Sequence, residues 1–427
     1  MRWRVPTRRF PYLILTTLIL AVVCAWFSVR SQAREKSTDF PPDISATRDE
    51  TPAPAPVGNS SEKPNPEHIA LERALQRYRE IANRGGWLKP PGKLAVKKGE
   101  SSGYVFWLRN YFETTGDMTA DEAASTSPVF DDKLEAAIRR FEERHALAAD
   151  GVLDQKLIDV MSVPVETRIA QLEANLDRWK QWPADFGRRY IRVNIPEFRL
   201  DAIEEGKSVL SMGVVVGKTD SPTPSFGGKI QYIVLSPYWN VPPSIARDET
   251  LPLVMKDPTY LSRHRLEVVA RSGRGVEVLD PATMDWSDNY SFRQRPGPGN
   301  SLGLVKFMFP NHHNVYLHDT PADSLFKRSR RAFSHGCVRL EKPMELARYV
   351  LRDQPQWTDT KLESAARAGQ EHAVTLSEPL PVYLVYWTAF VTSDGAVHFR
   401  EDVYGWDRGP RLNSNQVAQA VTTRAGG

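Results

Sequence analysis

The spacing of the apolar residues changes near residue 188, and this change divides the chain into a helical part and a strand-rich part. Before it, apolar side chains recur every three or four residues, as in residues 71–81, which is typical of amphipathic helices. After it, apolar and polar residues alternate, as in residues 191–195, which is typical of half-buried strands. The chain of 427 residues is therefore predicted to be a multidomain α+β protein.

The helical part is predicted to contain three segments. Residues 67–100 form a helical scaffold, which begins after the cap pair Asn65-Pro66. Residues 101–163 form a small unit of three short amphipathic helices. Residues 164–187 form a helical connector that leads into the strands.

Alternating residues predict a mostly-β domain over 188–352. Residues 243–300 do not fit this rhythm, because they are rich in proline, aspartate and arginine, and we expect them to form a capping insertion. Residues 353–427 form a C-terminal segment. Within it, residues 382–391 and 397–403 are predicted to pair as a β-hairpin around a Ser-Asp-Gly turn.

The N-terminus is predicted to be a membrane anchor, residues 1–30. Four arginines precede Phe10–Val29, which are 20 residues without a charge and can cross roughly 30 Å of hydrocarbon as a helix. The arginines orient the N-terminus towards the cytoplasm. A cleaved signal peptide is the alternative, and both readings export the rest of the chain. Residues 31–66 are polar and proline-rich, and are predicted to be a disordered tether.

Cys337 is the candidate nucleophile. The chain has two cysteines, and the other, Cys24, lies in the apolar N-terminal run. A thiol reacts as the thiolate, so that a histidine must accept its proton. His318 stands nineteen residues earlier at a predicted strand end and is assigned as the base, whereas His335 is assigned a site-shaping role.

The neighbours of Cys337 complete the predicted site. The amides around Gly336 are candidate donors to an oxyanion. Arg339 is either a fork for a substrate carboxylate or a structural ion-pair partner. Ser334 and Tyr316 are predicted to contact substrate together with it. Cys337 and the two histidines are also metal-ligand types, but a fourth ligand and a typical spacing are missing, so no metal and no cofactor are predicted.

These residues resemble a known catalytic signature. The run Ser334–Arg339, after His318-Asp319-Thr320-Pro321, is similar to that of the L,D-transpeptidases, the cysteine enzymes of peptidoglycan cross-linking. The resemblance covers residues 188–352 and is to the large, membrane-anchored branch of that family. Residues 101–163 resemble a peptidoglycan-binding domain of the three-helix type.

The resemblance implies a β-sandwich-like catalytic domain and a reaction. Cys337 would form a thioester with a tetrapeptide donor stem, release D-alanine and transfer the acyl group to a diaminopimelate amine, which makes a 3→3 cross-link. Peptidoglycan stem peptides are then the partners, carbapenems are expected inhibitors, and the location is the inner membrane, single pass, with the catalytic part in the periplasm. The small net charge of +4 gives no broad basic face for nucleic acid.

Three alternatives stay open. An L,D-carboxypeptidase or a lipoprotein-anchoring transferase would use the same site with a different acceptor. A wall-binding scaffold without turnover would use the helical unit alone, although the Cys337 and His318 pair argues against it. A papain-like protease is disfavoured, because its cysteine should precede its histidine in the chain.

Overall fold

The computed structural model describes residues 65–408, except for 92–94, 258, 273–274, 284–285 and 287–289. The predicted membrane anchor and nearly all of the predicted tether lie outside the described residues. Within the part of the chain that is described, no helix combines the length and the apolar character needed to cross a membrane.

Two long helices form the scaffold. Helix α1 (Pro66–Asn83) begins where the side chain of Asn65 accepts a hydrogen bond from the Glu67 N–H, and it buries one apolar face. After it, Gly85 and Gly86 adopt positive φ and end the helix. The α1 face packs against α6 (Val165–Trp179), which lies in the segment predicted as a helical connector.

The helical unit between them has its own core. Its members are α2 (Tyr104–Thr115), α3 (Ala120–Ala123), α4 (Asp132–Arg144) and α5 (Gln155–Met161). The three predicted helices are confirmed, and α3 is an additional single turn held by a capping box from Thr119 to Glu122. Buried Leu108, Phe112 and Phe141 belong to the core of this unit.

Strands dominate the rest of the chain. In chain order they are β1 (Arg189–Asn194), β2 (Arg199–Glu204), β3 (Lys207–Gly217), β4 (Phe226–Leu235), β5 (Trp239–Asn240), β6 (Leu266–Ser272), β7 (Gly275–Leu279), β8 (Ser291–Gln294), β9 (Val305–Met308), β10 (Leu317–His318), β11 (Ala332–Ser334), β12 (Val338–Leu340), β13 (His372–Val385), β14 (Ala389–Val391) and β15 (Val397–Phe399).

Among the described residues, nine of these strands form one sheet in the order β11-β3-β12-β10-β9-β4-β13-β1-β2. Strand β2 also pairs with β3, so that the strands close on themselves around a buried apolar core. Helices α10 (Pro343–Leu351) and α11 (Asp359–Ala366) contribute Leu346, Leu351 and Leu362 to that core. The mostly-β architecture is therefore confirmed.

The main sheet continues past residue 352, where the sequence analysis placed the end of the catalytic domain. Strand β13 lies between β4 and β1 and aligns Val382 with Ile191. The start of the predicted hairpin, residues 382–385, belongs to this long strand. The hairpin itself is shorter than predicted and consists of β14 and β15.

The insertion contains strands that the sequence analysis missed. Among the described residues, β8, β6 and β7 of the insertion form a separate four-stranded sheet with β5, which lies just before the insertion. Helix α7 (Pro243–Ile245), a π-helical turn (Ala246–Thr250), α8 (Leu251–Lys256) and α9 (Thr259–Arg263) precede it. Short strands that contain charged residues show little alternation of apolar and polar side chains, so the apolar pattern did not indicate them. A separate core that includes Val254, Val268 and Phe292 holds the insertion together.

Candidate active site

Two neighbouring strands bring the predicted site residues together. Strands β10 and β12 are parallel, and His318 is the register partner of Arg339. The N–H of Val338, the residue directly after Cys337, donates to the Tyr316 carbonyl at 3.1 Å. This hydrogen bond places Cys337 beside Tyr316. Because alternate residues of a strand share a face, the histidine, the arginine, the tyrosine and the thiol lie on one side of the sheet.

His318 is held in one orientation and kept neutral. Its side chain is buried, and its Nδ1 lies 2.5 Å from the Asp319 carbonyl, which accepts the Nδ1 proton and leaves Nε2 as the free acceptor. Burial, together with the nearby Arg339 and Lys306 cations, lowers the pKa of His318 to about 3, and the hydrogen bond to the Asp319 carbonyl acts in the opposite direction. The imidazole can therefore accept a proton but does not hold one at rest.

Cys337 is partly buried and carries a protonated thiol at rest. Its Sγ lies 3.8 Å from the Asn314 carbonyl, to which the thiol can donate. Burial raises the pKa of Cys337, whereas hydrogen bonds from the Tyr316 amide and hydroxyl and the charge of Arg339 act in the opposite direction. The same hydroxyl contact, together with burial, raises the pKa of Tyr316. The surroundings can thus stabilise a thiolate once the proton leaves.

Ser334 shapes the turn before the thiol, and its contact with substrate stays a prediction. It is 2% exposed, its Oγ donates to the Cys337 carbonyl at 2.6 Å, and it accepts from the Gly336 N–H at 3.2 Å. The Gly336 amide is therefore already occupied. In the described part of the chain no acceptor lies within hydrogen-bond distance of the Cys337 N–H, which remains the candidate oxyanion donor.

A second layer of residues holds this turn, and sequence reasoning missed it. The Thr223 hydroxyl donates to the Gly336 carbonyl at 2.7 Å and accepts from the Gly217 N–H at 2.8 Å. The Tyr404 hydroxyl donates to the Gly217 carbonyl at 2.7 Å and accepts from the Thr223 N–H at 3.2 Å. Gly217 must be a glycine, because a Cβ there would lie 2.1 Å from the Ser221 carbonyl oxygen.

An asparagine orders the loop that approaches the thiol from β9. The Asn311 amide nitrogen donates to the carbonyls of Phe309 and Val315, at 2.6 and 2.8 Å, and its oxygen accepts from the Val315 N–H at 3.2 Å. Asn314 then turns the chain with φ of +54°, which places its carbonyl towards Cys337. An asparagine between two predicted strands was the available signal for this turn.

Arg339 carries a cation without an acidic partner in the described chain. Its side chain is partly buried, its Nε has no hydrogen-bond partner, and no described carboxylate lies within ion-pair distance of it. Burial lowers the pKa of Arg339, and the neighbouring Cys337 opposes that effect. The predicted alternative of a structural ion pair is therefore not what this geometry shows.

His335 faces the capping insertion and not the thiol. Its Nε2 lies 2.7 Å from the Glu249 carboxylate, which belongs to the π-helical turn of the insertion. The side chains of both residues are partly exposed. This contact joins the Cys337 turn to the cap, and the site-shaping role of His335 stays a prediction. Across the described residues, no group of three or more histidine, cysteine, aspartate or glutamate side chains is placed to hold a metal ion.

Comparison with known proteins agrees with this geometry. Residues 188–362 match the family model described as "L,D-transpeptidase catalytic domain". Residues 188–362 are therefore similar to that family. Residues 104–161 match the family described as "Putative peptidoglycan binding domain". Both predicted resemblances are thereby confirmed, and the catalytic match extends ten residues beyond the predicted boundary at 352, to 362.

A curated relative supports the same family. A "Putative L,D-transpeptidase" of Haemophilus influenzae is 36% identical over 248 residues, which are 57% of this chain. The chain spans about half the length of this relative, because the match covers 49% of it.

Solved structures with the same family name are far more distant. An L,D-transpeptidase from Mycobacterium smegmatis is 13% identical with a TM-score of 0.22 over 46% of this chain and 58% of the other. One from Xylanimonas cellulosilytica is 13% identical with a TM-score of 0.22 over 69% of this chain and 100% of the other.

Proposed function

We propose that this protein is a peptidoglycan L,D-transpeptidase with Cys337 as the acyl carrier and His318 as the proton carrier. The observation that supports this proposal is that His318, a neutral and oriented imidazole, lies on β10, and that β12, the parallel strand next to it, begins directly after Cys337. The match of residues 188–362 to the L,D-transpeptidase catalytic domain supports the choice of reaction.

In the first half-reaction the donor is a tetrapeptide stem. The Cys337 sulfur attacks the carbonyl before the terminal D-alanine while its proton passes to Nε2 of His318. The C–N bond then breaks, and the leaving amine of D-alanine takes that proton. Because its pKa is low, protonated His318 is a strong acid that gives the proton up readily. The product is a thioester on Cys337 and free D-alanine.

In the second half-reaction the acceptor is the side-chain amine of a diaminopimelate in a neighbouring stem. Its nitrogen attacks the thioester, and its proton passes to His318. The C–S bond breaks, and the sulfur takes the proton back from His318. The new amide is the 3→3 cross-link. We expect the Cys337 N–H to stabilise the negative charge that develops on the carbonyl oxygen, and the Tyr316 hydroxyl, which contacts the Cys337 side chain, to stabilise charge on the sulfur.

The helical unit is a candidate for binding the cell wall. It matches a peptidoglycan-binding family, and its own core makes it a separate folded unit beside the catalytic sheet. We propose that it binds peptidoglycan and so raises the local concentration of stems near Cys337.

The decisive test is intact-protein mass spectrometry of the full chain with a carbapenem, followed by muropeptide analysis of digested sacculi. The wild-type protein and the Cys24→Ala control are expected to gain one carbapenem adduct and to form 3→3 cross-links, because both retain Cys337. Cys337→Ala is expected to lose both. An adduct on Cys337→Ala would overturn the nucleophile assignment. Free tripeptides without cross-links would instead indicate that water is the acceptor.

We further propose a single-pass inner-membrane location with the catalytic part in the periplasm. The support is the uncharged stretch Phe10–Val29 after four arginines. Alkaline extraction of membranes is expected to leave the full chain in the pellet. Release of an intact chain into the soluble fraction would contradict the anchor.

A further inference from the structure

The charge balance around Cys337 differs from that of a thiolate and imidazolium pair. Arg339 stands opposite His318 in the parallel ladder and two residues after Cys337 on the same face. A guanidinium keeps its charge throughout the physiological pH range. If His318 were also protonated at rest, two cations would lie side by side against one sulfur. Such like charges repel each other most strongly where water is excluded.

The surroundings of Arg339 leave its charge available to the site. Its Nε is buried without a hydrogen-bond acceptor, and none of the described carboxylates is within ion-pair distance. Other buried arginines of this chain are paired differently, since Arg144 lies 2.6 Å from Asp117 and Arg293 lies 2.6 Å from Glu267. A buried cation without an anion is costly, and the thiolate of Cys337 is the neighbouring group that can supply one.

We propose that Arg339 is the charge partner of the Cys337 thiolate, and that His318 is a neutral proton carrier and not its counter-ion. This inference rests on the proposed function for the choice of nucleophile, and it deepens that function by assigning the anion-stabilising charge. The proton that leaves sulfur passes to His318 and on to the departing amine, while Arg339 holds the negative charge of the sulfur. Tyr316 adds a hydrogen bond to the same atom.

The groups that can titrate or carry charge around the sulfur and the imidazole come from three strands and the cap. Strand β10 and the residues before it supply Tyr316 and His318, β12 supplies Arg339, and β9 supplies Lys306, which acts on His318. The cap supplies Glu249, which binds His335. Of these groups, Tyr316 and Arg339 act on the thiol of Cys337, so a change of charge at residue 339 should act on the thiol first.

The test is the pH dependence of alkylation of Cys337 by iodoacetamide, a small neutral reagent that has no carboxylate for Arg339 to bind. The full chain is used in detergent with Cys24→Ser, so that Cys337 is the only thiol. Arg339→Met is expected to move the midpoint of the profile upward and to slow alkylation at pH 7 by about tenfold for each unit of that movement. Arg339→Lys keeps the charge and is expected to restore most of the rate.

A matched variant separates the two candidate counter-ions. His318→Asn is expected to leave the midpoint of alkylation near that of the parent while it abolishes acyl transfer. A midpoint that moves as far in His318→Asn as in Arg339→Met, or one that does not move in Arg339→Met, would overturn the proposal. A donor-stem KM that rises in Arg339→Met without any change in the alkylation profile would instead identify Arg339 as a substrate fork and would equally overturn it.

Folding and function are controlled separately. Thermal melting identifies variants that fail to fold, and Arg339→Gln replaces Arg339→Met if the latter does. Alkylation does not depend on peptidoglycan, so the expected profiles without any cross-linked product would refute the proposed function and leave this inference standing. Cross-linking by the wild-type protein, together with an unchanged alkylation profile in Arg339→Met, would support the proposed function and refute this inference.

Discussion

The Cys337 turn depends on one buried hydroxyl. Thr223 is fully buried and bridges the Gly217 N–H and the Gly336 carbonyl. Thr223→Val keeps the shape of the side chain but leaves both groups unpaired, which is expected to cost about 1–3 kcal/mol for each group. The free energy of unfolding, measured in urea, and the rate of carbapenem acylation should both fall.

Thr114→Val is the control for this change. The Thr114 hydroxyl donates to the Asn110 carbonyl on an exposed helix surface, where water can replace it. It should leave the free energy of unfolding and the acylation rate nearly unchanged. Equal losses from the two variants would show that the turn does not depend on Thr223.

Gly336 is required for its backbone conformation and not for lack of space. Its φ is +114°, and a Cβ added there would meet nothing closer than 3.8 Å. Gly336→Ala is therefore expected to cost about 1–3 kcal/mol of backbone strain and to slow acylation, because relief of the strain moves the Cys337 amide. Gly395→Ala, at φ +83° in the β14–β15 hairpin, should lose comparable stability and keep the acylation rate.

At the residue scale, the sequence indicated the candidate pair of Cys337 and His318 but not the residues that support the turn. The pair was predicted because its residue types and their order are typical of thiol chemistry. Thr223 and Glu249 were not predicted, because they reach the turn from 113 and 86 residues away, and Tyr404 reaches Gly217 from 187 residues away, across contacts that depend on the closed sheet. Local patterns contain no information on such contacts.

The cap is tied to the catalytic turn by the Glu249 and His335 pair. Glu249→Ala should remove this tie with little effect on global melting, since both side chains are partly exposed. Amides of residues 243–256 are expected to exchange hydrogen faster in the variant. Asp248→Ala is the control, because exposed Asp248 pairs with its neighbour Arg247 and with no residue of the turn. Equal exchange in both variants would exclude a specific tie.

Helix α4 carries a carboxyl group whose titration should change stability near neutral pH. Glu142 is 2% exposed. Burial raises its pKa to about 7, above the value of 4.5 expected in the unfolded chain. The hydrogen bond that its carboxylate accepts from the Gly151 N–H acts to lower the pKa. A raised folded-state pKa favours the protonated form, so this contribution to stability is complete below pH 4.5 and is lost as the pH rises through 7.

Glu142→Gln should therefore flatten the decline in melting temperature of the protein between pH 5 and pH 8. Glu143→Gln changes the exposed neighbour and should retain that decline. A slope that is the same in all three proteins would show that Glu142 does not titrate in this range.

At the scale of elements, periodicity located the long helices and strands but not the order in which the strands pair. The stripes of α1, α2 and α4 and the alternation of β1 and β4 were predicted, since each buries one face. Strand β13 was assigned to a separate C-terminal segment, because its place between β1 and β4 depends on pairings across about 140 to 190 residues.

For the whole molecule, the C-terminal hairpin connects the long helices α1 and α6, the helical unit of α2 to α5 and the main sheet. On the scaffold side, the Gln171 amide of α6 donates to the carbonyls of Thr388 and Arg400. On the other side, the Arg400 guanidinium donates to the Arg144 carbonyl of α4 at 3.0 Å. The domain boundaries predicted along the chain are therefore bridged by residues from its far end, which no linear division of the sequence could indicate.

Phe399 lies at the centre of this junction, and we expect it to determine whether the helical unit and the main sheet unfold together. Its side chain is 2% exposed. Its ring centroid lies 5.6 Å from that of Tyr78 of α1 and 5.5 Å from that of His145, which follows α4. The Arg168 guanidinium of α6 lies 4.5 Å from the ring.

Phe399→Ala should lower the free energy of unfolding by about 3–5 kcal/mol. Because the catalytic core and the core of the helical unit are separate clusters, calorimetry of the variant should resolve two unfolding transitions where the wild type shows one. Phe106→Ala, which removes an exposed ring from the helical unit, should retain the wild-type profile. A single transition in both variants would show that the units are coupled through contacts other than Phe399.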